Sequence, residues 1–483
     1  MLFNSLDFAI FLPIVFILYW FFAQNNLKLQ NTLIVVASYV FYGWWDWRFL
    51  SLIIFSTIID YVVGQKLRTE EKEIKRKVLL WTSIIVNLGF LGFFKYYNFF
   101  LESFVDAFLI LGMQINANSL NIILPVGISF YTFQTLSYTI DVYKKKLEPT
   151  QDFIAFSAFV CFFPQLVAGP IERATNLLPQ FYKKRVFDYQ KAVDGMRQVL
   201  WGLFKKVVIA DNCAEFANMI FDNSTDMNGS TLILGAIFFT FQIYCDFSGY
   251  SDIAIGTSRL FGFDLKQNFA TPYFSRDIAE FWRRWHISLS TWFRDYLYIP
   301  LGGSRGGTWM KVRNTFAIFL VSGFWHGANW TFIIWGALNA IYFLPLLLTN
   351  NNRKNLGVVA EGKLLPSFRE FFSMLTTFGL TVFAWIFFRA EDLNHAFSYI
   401  SEIFSASIFK LPQFYGKLNA LITLCLIIVF LFVEWLGRKD QFAIENIISK
   451  KNNYFRWSIY LLIVITILFM GSFKENQFIY FQF

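Results

Sequence analysis

The sequence predicts an all-α, polytopic membrane protein, and three observations lead there. Of 483 residues, 56% are hydrophobic, 21% aromatic and only 16% charged, whereas a soluble domain carries roughly 25% charged residues. Apolar runs of about 20 residues, the length that crosses roughly 30 Å of hydrocarbon as a helix, recur from end to end, and we read about eleven of them. The net charge of +9 arises in short loops between these runs, where basic residues set topology rather than form a nucleic-acid surface. The surroundings are membrane lipid, no nucleic-acid partner is implied, and residues 1–483 read as a single multi-pass domain.

Taken in order, the start Met1-Leu2-Phe3-Asn4-Ser5-Leu6-Asp7 lacks the basic region of a cleavable signal, so the run Phe8 to Ala23 is expected to stay as a helix. The loop from Gln65 to Lys77 carries Lys66, Arg68, Lys72, Lys75, Arg76 and Lys77 and is expected to face the cytoplasm. Three spans precede it, which puts the N-terminus outside. The same rule places Lys144-Lys145-Lys146, the Arg353/Lys354 loop and the Arg438 to Arg456 connection inside. A last span, about Trp457 to Gly471, then delivers the C-terminus outside, with residues 472–483 as an extracytoplasmic aromatic tail. Cys161, Cys213, Cys245 and Cys425 lie far apart with no CxxC, which signals neither a disulfide framework nor a metal site.

The middle third is less regular. Ala168-Gly169-Pro170-Ile171-Glu172-Arg173 and Ile299-Pro300-Leu301-Gly302-Gly303 mix Gly, Pro and Arg too densely for plain spans, so they read as re-entrant or interfacial segments lining a cavity. No internal repeat is evident, which argues against an inverted-repeat transporter. Asp277, with Glu280 three residues on, is expected to cap a helix whose stripe is Ile278, Phe281, Trp282, Trp285 and Leu289, with Glu280, Arg283 and Arg284 pointing away. His286 sits at the edge of that stripe, facing either the cavity or the interface. In the thread Phe241 to Asp252, Gln242 shares a helix face with Asp246 and Ser248 with Asp252. Arg259, Arg294 and Arg276 are candidate partners for these carboxylates, so a structural ion pair stands beside a catalytic role for Asp246.

His326, in Gly323-Phe324-Trp325-His326-Gly327-Ala328-Asn329-Trp330, lies inside an apolar stretch from about Thr315 to Leu348. An imidazole, with an ordinary pKa near 6.5, can stay neutral in such a place at little cost and still accept a proton. A general base at membrane depth, with two glycines to loosen the helix around it, competes there with a buried histidine satisfied by a backbone carbonyl or by Asn329.

Three segments, Phe281-Trp282-Arg283-Arg284-Trp285-His286-Ile287-Ser288-Leu289-Ser290, Tyr298-Ile299-Pro300-Leu301-Gly302-Gly303 and the His326 stretch, closely resemble the membrane-bound O-acyltransferase family. The likeness extends to 168–173 and 244–252, covers most of the chain, and is nearest the bacterial alginate O-acetyltransferase type. It implies a ring of helices with re-entrant segments around a central tunnel, an acyl thioester donor such as acetyl-CoA entering from the cytoplasm, and no bound cofactor. It also implies that His326 and His286 are catalytic, with Asn329, Trp330, Trp285 and Asp246 as tunnel or support residues. The ending Phe478-Ile479-Tyr480-Phe481-Gln482-Phe483 resembles the aromatic motif of the small membrane partner in teichoic-acid D-alanylation systems, and on that likeness Tyr480 is an acyl carrier. A phenol, with its pKa near 10, is a better acyl leaving group than an alkyl hydroxyl; the alternative is a tail resting in the membrane interface.

The expected activity is therefore transfer of an acyl group, acetyl first, from a cytoplasmic thioester across the bacterial inner membrane to an exported polysaccharide. An SGNH-type extracytoplasmic partner completes it, since this chain carries no GxSxG nucleophile elbow. The alternatives are D-alanine transfer to teichoic acids, and a non-enzymatic transporter or flippase in which His326 and Asp246 relay protons.

Overall fold

The computed structural model describes residues 1–115, 119–167, 169–449, 452–473 and 478–479. The described residues are helices and connections, with no strand among them, the arrangement that satisfies backbone groups without help from water. Seven described segments are long and apolar enough to cross a membrane: Leu27–Thr69, Glu73–Ile110, Gly229–Leu260, Trp330–Leu348, Phe368–Arg389, Lys417–Leu436 and Asn453–Met470. The first holds two 20-residue helices, Leu27–Asp46 and Leu50–Thr69, because the backbone at Asp46 is extended (φ −160°, ψ 107°). The expected count of about eleven is not reached by this measure: Leu6–Phe22 and Phe153–Leu166 are apolar but shorter, and the middle third is broken into short pieces.

The chain divides into two compact units, the first comprising residues 1–193 and 257–266. Its Leu50–Thr69 and Ile128–Tyr143 helices approach closely at Gly64, where an added Cβ would fall 2.6 Å from the Tyr138 hydroxyl. Asp60 is buried there and accepts hydrogen bonds from the Ser83 hydroxyl, from Asn87 Nδ2 at 2.9 Å and from Thr139 Oγ1 at 3.0 Å. Residues 169–173 are non-helical, buried from Gly169 to Glu172 and half-buried at Arg173, and Glu172 accepts from Asn176 Nδ2 at 2.7 Å and from the Lys266 N–H at 2.5 Å. Ala168 lies outside the described residues.

The second unit comprises residues 194–256 and 267–483. The Gly229–Leu260 helix, of 32 residues, extends about 48 Å, and its 229–256 part runs through this unit's core. The Tyr189–Leu203 helix packs on it through glycines, as tight membrane helix pairs do: a Cβ on Gly202 would lie 2.6 Å from the Gly249 carbonyl, and one on Gly249 2.8 Å from that of Gly202. The Lys417–Leu436 and Asn453–Met470 helices turn Leu421, Ile428, Phe432, Leu461, Leu468 and Phe469 outward, an apolar exterior suited to lipid.

Two expected elements differ from what is found. The Thr315–Leu348 stretch is a hairpin of two helices, Thr308–His326 and Trp330–Leu348, so His326 ends a helix instead of lying mid-span. Gly323 and Gly327, expected to loosen that helix, instead let the hairpin close, since a Cβ on Gly323 would lie 2.2 Å from the Phe332 carbonyl and one on Gly327 2.0 Å from the Phe332 ring; Gly336 does the same from the facing helix, where a Cβ would lie 2.4 Å from the Phe319 carbonyl. The helix capped by Asp277 stops at Arg284, and a second starts at Ile287. Nor does Glu280 point away: it is 1% exposed, pairs with Arg276 at 3.0 Å and Arg284 at 2.9 Å, and its carboxylate accepts the Arg276 N–H rather than that of Asp277.

Candidate active site

The break at Trp285–His286 places one of the two candidate histidines. Segments 268–270 and 284–287 pair through two backbone bonds, Ala270 N–H to Arg284 O at 3.0 Å and Ile287 N–H to Asn268 O at 2.9 Å. This pairing holds His286 in the left-handed region (φ 43°, ψ 55°), a conformation that costs a residue with a Cβ about 1–2 kcal/mol and tends to collect at functional sites. His286 is 1% exposed, and its ring meets Phe247 edge-on at 4.6 Å.

Its tautomer follows from Asn268. The Asn268 Oδ1 accepts from the Ser288 backbone N–H at 3.3 Å and the Ser288 hydroxyl at 2.9 Å, while Nδ2 donates to Ser251 Oγ at 3.2 Å. A backbone N–H can only donate, so Oδ1 must face Ser288. That same oxygen lies 3.0 Å from His286 Nδ1, which therefore carries the proton and leaves Nε2 as the basic nitrogen.

His326, 3% exposed, sits in an aromatic box with ring centroids at 4.9 Å for Trp325, 5.1 Å for Trp335 and 5.3 Å for Phe388. The Trp325 ring also lies 6.1 Å from that of His286, so one indole touches both imidazoles. Trp285 is buried, stacked on Phe281 at 5.4 Å and tilted against Trp385 at 5.1 Å. Asn329 is engaged elsewhere, capping the Trp330–Leu348 helix at the Thr331 N–H (3.0 Å) and donating to the Glu391 carbonyl (2.7 Å). Trp330 is 53% exposed.

A cavity of about 230 Å³ runs along the Thr308–His326 helix, lined by Thr315, Phe319 and Ser322 on that helix and by Trp282 opposite. Ser322 lies four residues before His326, hence on the same helix face, and the Trp282 ring is 5.7 Å from Trp335, which borders His326. Arg294 and the exposed Arg353 lie at its far rim.

Asp246 is buried, but none of the arginines considered for it is its partner. Lys206 Nζ lies 2.8 Å from Asp246 and 2.8 Å from Asp211, and Lys205 Nζ lies 2.6 Å from Asp252, which also accepts from Gln198 Nε2 at 2.7 Å. Both lysines stand on a π-helical turn, Phe204–Ala210, brought against the Asp246–Asp252 face by the Gly202–Gly249 contact. Two lysines inside the apolar run Trp201 to Ala210 were the sequence signal for this network; Asn268, in an ordinary polar loop, gave none. Phe478 and Ile479 are buried beside Asp246, whose Oδ2 accepts the Ile479 N–H at 2.8 Å. The Phe478 ring lies 5.7 Å from Phe247 and 4.7 Å from Tyr250. Tyr480 lies outside the described residues.

Comparison with known proteins gives the family to which the chain belongs. The family model of MBOAT, the membrane-bound O-acyltransferase family, matches residues 144–372. The "Probable alginate O-acetylase AlgI" of Pseudomonas aeruginosa is 40% identical over 445 residues, 91% of this chain and 82% of that protein. The "Peptidoglycan O-acetyltransferase" of Helicobacter pylori is 37% identical over 426 residues, 82% of this chain and 78% of its own. The "Teichoic acid D-alanyltransferase" of Bacillus subtilis is 27% identical over 296 residues, 57% and 71% of the two chains. With buried imidazoles in a multi-pass helical protein and relatives alike over nearly its whole length, the chain belongs to the membrane-bound O-acyltransferase family and is an O-acyltransferase.

Proposed function

We propose that the protein transfers an acetyl group from a cytoplasmic thioester donor such as acetyl-CoA, by way of Tyr480, to an exported polysaccharide. The observation that carries this reading is the pair of buried imidazoles sharing Trp325, with a cavity that comes within one helical turn of His326. Arg294 and Arg353 at the far rim suit the phosphates of a donor, and the basic 353–354 loop is among those expected to face the cytoplasm.

In the proposed reaction His326 takes the proton of the attacking hydroxyl as its oxygen bonds to the thioester carbonyl carbon. The carbon–sulfur bond breaks, and the imidazolium returns the proton to the leaving thiolate. His286, held by Asn268 with Nε2 basic, serves the return step, in which an acceptor hydroxyl attacks the acyl-tyrosine and the phenol leaves. Both imidazoles are buried away from bulk water, which protects acyl esters from hydrolysis. An SGNH-type extracytoplasmic partner carries the group to the polysaccharide. The protein sits in the bacterial inner membrane with its tail outside. Acetyl is favoured over D-alanine because the O-acetylating relatives match 82–91% of this chain and the D-alanyltransferase 57%.

The test supplies labelled acetyl-CoA to the purified protein, with the Tyr480→Phe variant alongside. A trapped acetyl ester on Tyr480, and loss of polysaccharide acetylation in Tyr480→Phe, are expected. No adduct together with full acetylation in Tyr480→Phe would refute the carrier step.

A further inference from the structure

The end of the last helix and the chain after it are held at and beside the π-helical turn Phe204–Ala210. The Ser472 N–H donates to the Val207 carbonyl at 2.9 Å, immediately after Asn212 Nδ2 has taken the Met470 carbonyl at 2.8 Å. Seven residues later the Ile479 N–H donates to Asp246 Oδ2 at 2.8 Å, and Lys206, on the same turn, holds Asp246 from the other side at 2.8 Å. Phe478 and Ile479 are 0% and 1% exposed. The Phe478 ring packs on Phe247, whose ring also meets that of His286 at 4.6 Å.

Such a seat is not what packing alone would produce. Intramembrane carboxylate–ammonium groups are rare and mark function, and here one ammonium, Lys206, serves two carboxylates, Asp246 and Asp211. Asp246 thus stays a strong acceptor for a backbone N–H, which is a recognition of chain position rather than of a particular side chain. Charge-assisted bonds of this kind are about twice as strong as neutral ones.

We infer that Asp246, braced by Lys206, is a positioning residue that seats residues 478–479 of the tail beside the histidine cluster. Its consequence for catalysis rests on the carrier reading of Tyr480, the residue that follows; the seat itself does not. Asp246→Asn removes the charged acceptor yet leaves Lys206 paired with Asp211, so the core keeps its ion pair. Ile479→Pro deletes the donor N–H and leaves all three charged groups in place.

Hydrogen–deuterium exchange of the full-length protein in nanodiscs reads the seat directly. In Asp246→Asn the peptide containing Phe478 and Ile479 is expected to exchange roughly 10–100-fold faster, the range one hydrogen bond to a charged group supports, while the Gly229–Leu260 helix exchanges as in the wild type. Polysaccharide acylation is expected to fall with it, and Ile479→Pro is expected to do the same, which decides the matter if Asp246→Asn fails to accumulate. Unchanged protection of the tail peptide in the variants that accumulate overturns the seat, even if acylation falls. Release of the tail in a strain background where Tyr480→Phe acylates normally keeps the seat and removes the carrier reading.

Discussion

Around His286, Asn268 Oδ1 accepts from Ser288 and from the imidazole Nδ1 at 3.0 Å, and that single amide decides which ring nitrogen is basic. Asn268→Ala is expected to lower kcat roughly 10–100-fold, since each tenfold corresponds to about 1.4 kcal/mol and one orienting bond is lost. Asn268→Asp keeps the acceptor and is expected to recover most of the rate; equal rates for Asn268→Ala and wild type in a purified assay would remove the orienting role. His326 stood out because an imidazole in an apolar run is conspicuous; His286, beside Arg283 and Arg284, was singled out by the motif likeness, its own position leaving cavity and interface open. Asn268 was not legible, because its importance arises only where 268–270 pairs with 284–287, and no local pattern announces a long-range pairing. The partners of Asp246 and Asp252 were sought among arginines and are Lys206 and Lys205, two charges in an apolar run that the sequence reading passed over, because sequence shows the charge and not the neighbour.

At the scale of elements, the hairpin carrying His326 closes only because Gly323 and Gly336 have no side chains. Gly336→Val is expected to force the helices apart, destabilise the protein by about 1–3 kcal/mol and depress activity by moving His326 from the Trp335 box. Gly379→Ala, where an added Cβ meets nothing within 4 Å, serves as the control and is expected to be neutral or stabilising by roughly 0.5–1 kcal/mol. Thermal unfolding in detergent compares the two; a Gly336→Val protein as stable as wild type would contradict the packing role. The Asp277 cap is found, its Oδ1 accepting the Glu280 N–H at 2.7 Å, but the stripe read as one helix from Ile278 to Leu289 is split between two, Ile278–Arg284 and Ile287–Phe293. The stop at Arg284 was not legible, because neither Trp285 nor His286 is a helix breaker and the break is imposed by strand-like pairing with a distant segment.

For the molecule as a whole, composition and loop charge were enough to give a multi-pass helical membrane protein, and the motif likeness gave its family. The number of spans was not readable: hydropathy does not separate a helix in lipid from one buried in protein. The Gly229–Leu260 helix, 83% buried over its most apolar window, and the Asn453–Met470 helix, 0% buried over its own, score alike in sequence. Topology rests on loop charge, and a cysteine replacing the exposed Glu71 is expected to react with an impermeant maleimide only from the cytoplasmic side; labelling only from outside would overturn the expected orientation of the 65–77 loop.

The central claim is that a buried imidazole, rather than a packed one, performs acyl transfer, and the rate of transfer by His326→Ala measures it. The rate is expected to fall on the order of 10²–10⁴, as for loss of a general base, with insertion, accumulation and unfolding temperature close to those of the wild type. A His326→Ala protein that transfers acyl groups at nearly the wild-type rate, or whose loss of transfer is matched by loss of folded protein, would contradict it.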